Sequence, residues 1–381
     1  EHPRFVLNNF LSSNQCKELE FIHKSCCTIG YRPSIFSTTL SHLIATNSAH
    51  LIMPFVPIRE SLKETVELYF GCEYELCIEF TGLISWTKGS SIGWHSDDNR
   101  PYLKQRSYAA VCYLNNYLED FRGGLFHFQD GEPKTIKPMA GDVVLYTADS
   151  RNIHSVDEVT EGERLTLTLW FSRDSSYDEE TIFLSQSLPR ALSNKMGSYL
   201  PLLAANNMYS FPPDDKLGFN ICCARIYILG YDLFSPKYET TSSNSELLTE
   251  RVQLAMGDEL FSKEFVNVLH ALQVLQFYHW RGSKMEAWRR ESMVDLVVRL
   301  EESQVETMRS LKLKLLREPE LALAVFGGMG SSSGSDVLRR SGDWAGLSAA
   351  VAAWEAYSSD LRSQLCMALP HWTSHRSLFL R

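Results

Sequence analysis

Apolar residues change their spacing along this chain. In the first 75 residues they recur at mainly helical intervals. Leu19, Phe21 and Ile22 follow Ser12-Ser13-Asn14-Gln15, a capping signature, and predict a helix over residues 13–25. Ile58, Leu62, Val66 and Leu68-Tyr69 predict a second helix over residues 58–70, with loops around both. From residue 77 the period shortens. Apolar, aromatic or β-branched runs at 77–86, 107–114, 124–128, 142–147 and 165–172 are each bounded by Gly, Asn, Asp or Pro, and read as strands joined by turns. Leu165 to Trp170 alternates strictly, one face apolar and the other rich in threonine. Such a run of short strands fits an antiparallel sandwich or jelly roll.

After about residue 175 the strand pattern stops. Residues 181–245 carry Pro, Ser and Asn clusters and read as an irregular connection. Phe265, Val268, Leu269, Leu272 and Leu275 form one helical stripe, and Val297, Leu300, Met308, Leu311 and Leu315 a second. Residues 327–335 are a Gly/Ser linker by composition, and 336–369 read as helix again. The stripes fit packing in a helical bundle better than a partner-binding groove. The fold class expected is therefore α+β: a β-rich unit with N-terminal flanking helices over residues 1–180, the connection over 181–245, and a mainly α-helical region over 246–381.

Composition narrows the function. The 381 residues exceed what one core normally fills, which suits a large domain with an appended one. A net charge of −9 argues against a general nucleic-acid surface. No run of 18 apolar residues occurs, so no membrane span is expected. The nine cysteines form no C-x-x-C pair, which argues against a zinc ribbon and a dense disulfide framework, and leaves one or two disulfides open. The absence of an N-x-[ST] sequon leans away from a glycosylated surface. The first residue is Glu1 rather than Met, so an upstream segment is expected to be missing, and the absence of a signal peptide or membrane anchor from this sequence carries no weight.

The chemistry concentrates in a few residues. His95-Ser96-Asp97 is an H-x-D, His154 follows in the next half of the strand-rich region, and Arg164 opens the alternating strand. Two imidazoles and a carboxylate on one face hold Fe(II) and leave positions open for a bidentate cosubstrate and dioxygen. Residues i and i+2 project from the same side of an extended chain, which suits His95 and Asp97 at a strand end. Arg164 offers a guanidinium fork to a carboxylate at the far end of the cosubstrate. Asp98 is an alternative ligand, although i+3 from His95 leaves the shared face. His127 reads as a pocket or supporting residue rather than a fourth ligand, and Trp170 as core. Gly123, Gly124 and Gly141 read as turn positions.

Residues 81–173 resemble the catalytic core of the prolyl-4-hydroxylase-type 2-oxoglutarate- and Fe(II)-dependent dioxygenases. The resemblance is carried by His95-Ser96-Asp97, Tyr113-Leu114-Asn115, Gly123 to Phe128, Pro138 with Gly141-Asp142, His154, and Arg164 to Trp170; Asn9 to Ser13 with Cys16 resembles the domain's start. It implies a double-stranded β-helix with Fe(II) held by His95, Asp97 and His154. It also implies 2-oxoglutarate on the iron, its distal carboxylate paired with Arg164 and hydrogen-bonded by Tyr113, with Thr168 lining the pocket. Trp86 stands where many members carry Tyr, which keeps an aromatic wall and puts that tyrosine's contact in doubt. The implied activity is hydroxylation of an amino-acid side chain, foremost peptidyl proline, with release of succinate and CO2 and with L-ascorbate as rescuing cofactor. A protein or peptide substrate and an endoplasmic reticulum or endomembrane location follow from the same resemblance, which says nothing about oligomeric state.

Three rival readings stand beside it. A nucleic-acid demethylase of this fold usually carries a second arginine where this chain has Trp170. A catalytically inactive jelly-roll scaffold, acting through its C-terminal helices in protein–protein contacts, is disfavoured by the intact ligand set and Arg164. A zinc site at the same residues would give Arg164 and Tyr113 no task.

Overall fold

A computed structural model describes residues 2–29, 35–72, 75–76, 82–174, 273, 276, 277, 280, 281 and 344–369. Both expected C-terminal stripes, the connection over 181–245 and the linker over 327–335 lie outside these residues.

Helix α1 (Ser13–Cys26) begins where the capping signature predicts. Gln15 N donates to Ser12 Oγ at 3.2 Å and Ser12 N to Gln15 Oε1 at 2.8 Å, so two otherwise unpaired amides are satisfied reciprocally. Helix α3 (Val56–Phe70) stops at Gly71, whose φ of 68° is open to glycine at little cost. Between them lie α2 (Leu40–Ala45) and a 3-10 turn (Ala49–Phe55), neither of them anticipated.

The strands are β1 (Arg4–Leu7), β2 (Thr28–Ile29), β3 (Ile35–Thr39), β4 (Glu75–Leu76), β5 (Gly82–Thr87), β6 (Ile92–His95) and β7 (Arg106–Tyr113). They continue with β8 (Phe121–Gly123), β9 (Phe126–Phe128), β10 (Thr135–Ile136), β11 (Val143–Thr147), β12 (His154–Val156) and β13 (Val159–Ser172). Among the described residues, a large antiparallel sheet runs β1-β11-β7-β13-β5-β3-β2, with β4 and β8 also paired to β13. A smaller sheet runs β10-β9-β12-β6. The two sheets face each other in a jelly roll. The first 75 residues, expected to be helices and loops, thus also donate β1, β2 and β3 to the large sheet.

Two apolar layers result. Between the sheets lie Val111, Phe126, Phe128, Val144 and Val156. On the outer face of the large sheet, Leu165, Leu167, Leu169 and Phe171 of β13 pack with Leu19 and Ile22 of α1 and Leu62 and Val66 of α3. Burying each such leucine is worth about 1.5–3 kcal/mol, which anchors β13 and fixes which of its faces looks inward.

Helix α4 (Trp344–Ala368), within the stretch expected to be helical, joins this outer layer through Trp354, Leu361 and Leu365. Phe21 of α1 stacks on Trp280 at 4.9 Å and meets Phe277 and Tyr357 edge-on. No helix among the described residues is long and apolar enough to cross a membrane.

Candidate metal centre and its cavity

β6 and β12 run antiparallel with His95 directly opposite His154, and the two ring centroids are 4.3 Å apart. Asp97 lies just past the end of β6. Its Oδ1 is 3.8 Å from His95 Nε2 and 3.7 Å from His154 Nε2, and one donor atom from each residue lies within 4.8 Å of the others. Each imidazole is held by its far nitrogen: His95 Nδ1 donates to Gly93 O at 2.8 Å and His154 Nδ1 to Asn152 O at 2.9 Å. A carbonyl only accepts, so Nδ1 carries the hydrogen in both rings and each Nε2 lone pair faces Asp97. Burial lowers the His154 pKa, outweighing the nearby Asp97, and keeps this ring neutral and able to bind a metal. Two neutral imidazole nitrogens with a carboxylate oxygen suit a divalent transition metal with open positions.

Supports around Asp97 were not anticipated. Tyr146 of β11 donates its hydroxyl to Asp97 Oδ2 at 2.9 Å, and Arg106 Nη1 donates to the Asp97 carbonyl at 3.2 Å. The only sequence signal for Tyr146 was its inward position in the 142–147 strand, which any core tyrosine shares.

Two neighbours fall outside the centre. Asp98 turns to Lys104 Nζ at 2.7 Å and to Ser96 Oγ at 2.9 Å. His127 is not a pocket residue: strand alternation sends Phe126 and Phe128 inward and His127 outward, where it bridges Thr135 Oγ1 at 3.0 Å and Asp157 Oδ2 at 2.7 Å.

The centre opens into a cavity of about 630 Å³. Along β13, Arg164, Thr166, Thr168 and Trp170 line it, while the intervening residues face the helices. Thr168 thus shares the inward face with Arg164. Trp170, expected in the core, is only partly buried and lines the cavity, with Arg106 Cζ 3.9 Å from its ring centroid. Trp86 lies opposite Arg164 on β5 and forms an aromatic wall 5.7 Å from the guanidinium carbon.

Arg164 is 3% exposed, and among the described residues no carboxylate pairs with it. Among the described residues its Nε and the Tyr113 hydroxyl, both buried, make no regular hydrogen bond; the two groups are close neighbours, the guanidinium carbon lying 5.3 Å from the Tyr113 ring centroid. Burial lowers the arginine pKa, with Tyr113 opposing the shift, and burial raises that of Tyr113. A buried guanidinium is costly without an anion, and a carboxylate or a similar group would suit this cationic end of the cavity.

Comparison with known proteins follows the same residues. Residues 81–172 match the family model of the 2OG-Fe(II) oxygenase superfamily. Prolyl 3-hydroxylase 1 of Gallus gallus is 27% identical over 233 residues, 50% of this chain and 31% of the relative. The human 2-oxoglutarate and iron-dependent oxygenase domain-containing protein 3 is 41% identical over 80 residues, 21% of this chain and 25% of the relative. The chain therefore spans less than a third of the length of either. A crystal structure of Pseudomonas putida prolyl-4-hydroxylase aligns with 45% of this chain and 94% of its own at 18% identity, with a TM-score of 0.37. The matched segment contains β5 to β13, both histidines, Asp97 and Arg164, so the similarity to the 2OG-Fe(II) oxygenase superfamily falls on the residues of the candidate site.

Proposed function

We propose that this chain is a 2-oxoglutarate- and Fe(II)-dependent dioxygenase that hydroxylates a peptidyl prolyl side chain. The observation that carries the reading is Arg164, a buried guanidinium with no acid partner among the described residues, in the same cavity as a compact His95, Asp97 and His154 cluster. A metal site alone leaves that charge unexplained. A dicarboxylate with a chelating keto acid at one end accounts for both.

In this reading His95, Asp97 and His154 hold Fe(II), and Arg164 with the Tyr113 hydroxyl binds the distal carboxylate. Bound Fe(II) with 2-oxoglutarate and dioxygen supplies an oxidant for an unactivated C–H bond, releasing succinate and CO2. The chain's own task is orientation. Gly93 and Asn152 carbonyls fix the imidazole tautomers, Tyr146 fixes the carboxylate, and Thr168 stands beside the cosubstrate. Trp86, Ile84, Val111 and Phe126 give the cavity apolar walls that exclude water.

The relatives named as prolyl 3-hydroxylases direct the choice of substrate to peptidyl proline. Ascorbate as a rescuing cofactor and an endomembrane location are parts of the proposal drawn from the resemblance. The dioxygenase domain proposed spans residues 1–180, with α4 braced against it.

Anaerobic titration of the apoprotein with Fe(II) and 2-oxoglutarate tests the reading. A visible metal-to-ligand charge-transfer band is expected in wild type, lost in His95→Ala and reached only at much higher cosubstrate in Arg164→Ala. Aerobic turnover with proline-containing peptides should then yield succinate and a peptide heavier by one oxygen atom. A wild-type protein that gives no band sinks the assignment.

A further inference from the structure

The inference concerns what aims Arg164, and it rests on the reading of that residue as the carboxylate clamp. The last backbone bond from the end of β7 to β13 runs from Leu114 N to Leu165 O at 3.0 Å. Beyond it, among the described strands, neither β7 nor β8 is in register with Glu163 or Leu165, which leaves Glu163 O and Leu165 N on that edge to other partners. The side chain of Asn115, 7% exposed, takes the strand's place. Its Nδ2 donates to Glu163 O at 2.7 Å, and its Oδ1 accepts from Leu165 N at 3.0 Å. Only this orientation of the amide satisfies both groups. The two bonds bracket Arg164, which is paired on the other side with Trp86 of β5.

Two further contacts hold the same point. The Glu163 carboxylate pairs with Lys24 of α1, both buried, which ties the strand to the helix layer. Gly124 leaves room for the arginine stem, since a Cβ there would come within 3.0 Å of Arg164 Cδ. Lys24 and Gly124 thus limit the strand and the stem, whereas Asn115 acts on the main chain immediately before and after the arginine.

We propose that Asn115 is a positioning residue for cosubstrate binding: its side-chain amide fixes the backbone on both sides of Arg164 and thereby the direction of the guanidinium fork. Fork-to-carboxylate pairing depends on alignment, so a small displacement of the Arg164 main chain is felt at the far end of a long side chain. The metal ligands lie on β6, β12 and the turn after β6, and do not depend on this bracket.

The test compares two cosubstrates. 2-Oxoglutarate carries the distal carboxylate, and pyruvate has the same chelating keto acid without it. Both are titrated anaerobically into the Fe(II)-loaded full chain, following the charge-transfer band. Asn115→Ala is expected to weaken 2-oxoglutarate by roughly tenfold or more while leaving pyruvate and Fe(II) affinity unchanged. Equal losses on both ligands, or no loss on either, overturn the proposal. Asn115→Asp keeps an acceptor for Leu165 N and loses the donor to Glu163 O; it carries the test if Asn115→Ala does not fold, and the same selective loss is expected. Arg164→Ala runs in parallel. If it weakens 2-oxoglutarate alone and the Asn115 variants do not, the clamp stands and the positioning role falls. If wild type binds neither ligand, the function proposed above falls.

Discussion

Tyr146 ties down Oδ2 of Asp97 and leaves Oδ1 toward the two imidazoles, so under the proposed function one phenol would set how the carboxylate meets a metal. Burial, reinforced by the carboxylate, pushes this phenol well above its ordinary pKa range, and it remains a hydrogen donor at any physiological pH. Tyr146→Phe is expected to weaken Fe(II) or Mn(II) binding by about tenfold, measured by metal titration of the apoprotein. An unchanged affinity would remove Tyr146 from the site. At this scale the sequence was legible where side-chain type and spacing carry the chemistry. The H-x-D, His154 and Arg164 meet in one cavity. Tyr146 was not legible, because a tyrosine on an apolar strand looks like core until its hydroxyl has an address. Asn115 sat inside a quoted motif with no role, since its role depends on where β7 ends.

Length alone did not decide which elements announced themselves: the three-residue β9 falls inside the expected run at 124–128, and the five-residue β3 was missed. β7, β11 and β13 have five or more residues, enough for alternation to show; β7 and β11 lie within one residue of the expected runs, and β13 starts at Val159, well before the expected 165. β6 and β12 carry the two histidines of the candidate metal centre on only four and three residues, too few for any period. β3, also missed, lies in a segment framed by helical patterns and gains its identity only by pairing with β5. Two buried histidines join such elements. His23 of α1 bonds Thr38 Oγ1 of β3 at 3.0 Å and Ser85 Oγ of β5 at 2.9 Å, and His50 meets Ser358 Oγ of α4 at 2.8 Å. Burial holds both pKa values well below 6.5 in the folded chain. The unfolded chain begins to take up these protons near pH 6.5, so stability is intact above that value and declines as the pH falls further. Melting temperatures at about pH 7.5 and pH 5.5 should show the decline, and it should be shallower in His23→Gln and His50→Gln than in wild type. Equal acid sensitivity in all three would place the titrating groups elsewhere.

Across the whole molecule the decisive contact is between the chain's two ends. α4 seats Trp354, 1% exposed, in the outer apolar layer; Tyr357 donates to Glu18 Oε1 at 2.8 Å and Arg362 Nη2 to Asn47 O at 2.9 Å. The pattern of residues 336–369 announced a helix, but nothing in it named the surface that the helix covers, because any apolar stripe can fill any groove of matching shape. Trp354→Ala is expected to cost about 3–5 kcal/mol in urea denaturation without displacing the metal-site residues. A loss under about 1 kcal/mol would make α4 an ornament on a self-sufficient core. The Tyr357–Glu18 bond closes a separation of 339 residues. In the unfolded chain the entropy of such a closure grows only with the logarithm of length, by about 0.6 kcal/mol per doubling. Extra residues inserted between core and helix therefore hardly change the final equilibrium. They act on time instead: a newly made chain must hold the edge of α1 that carries Glu18 and Phe21 without its Tyr357 cover until synthesis has reached α4, and that waiting interval is when this edge is most open to aggregation and most in need of a chaperone.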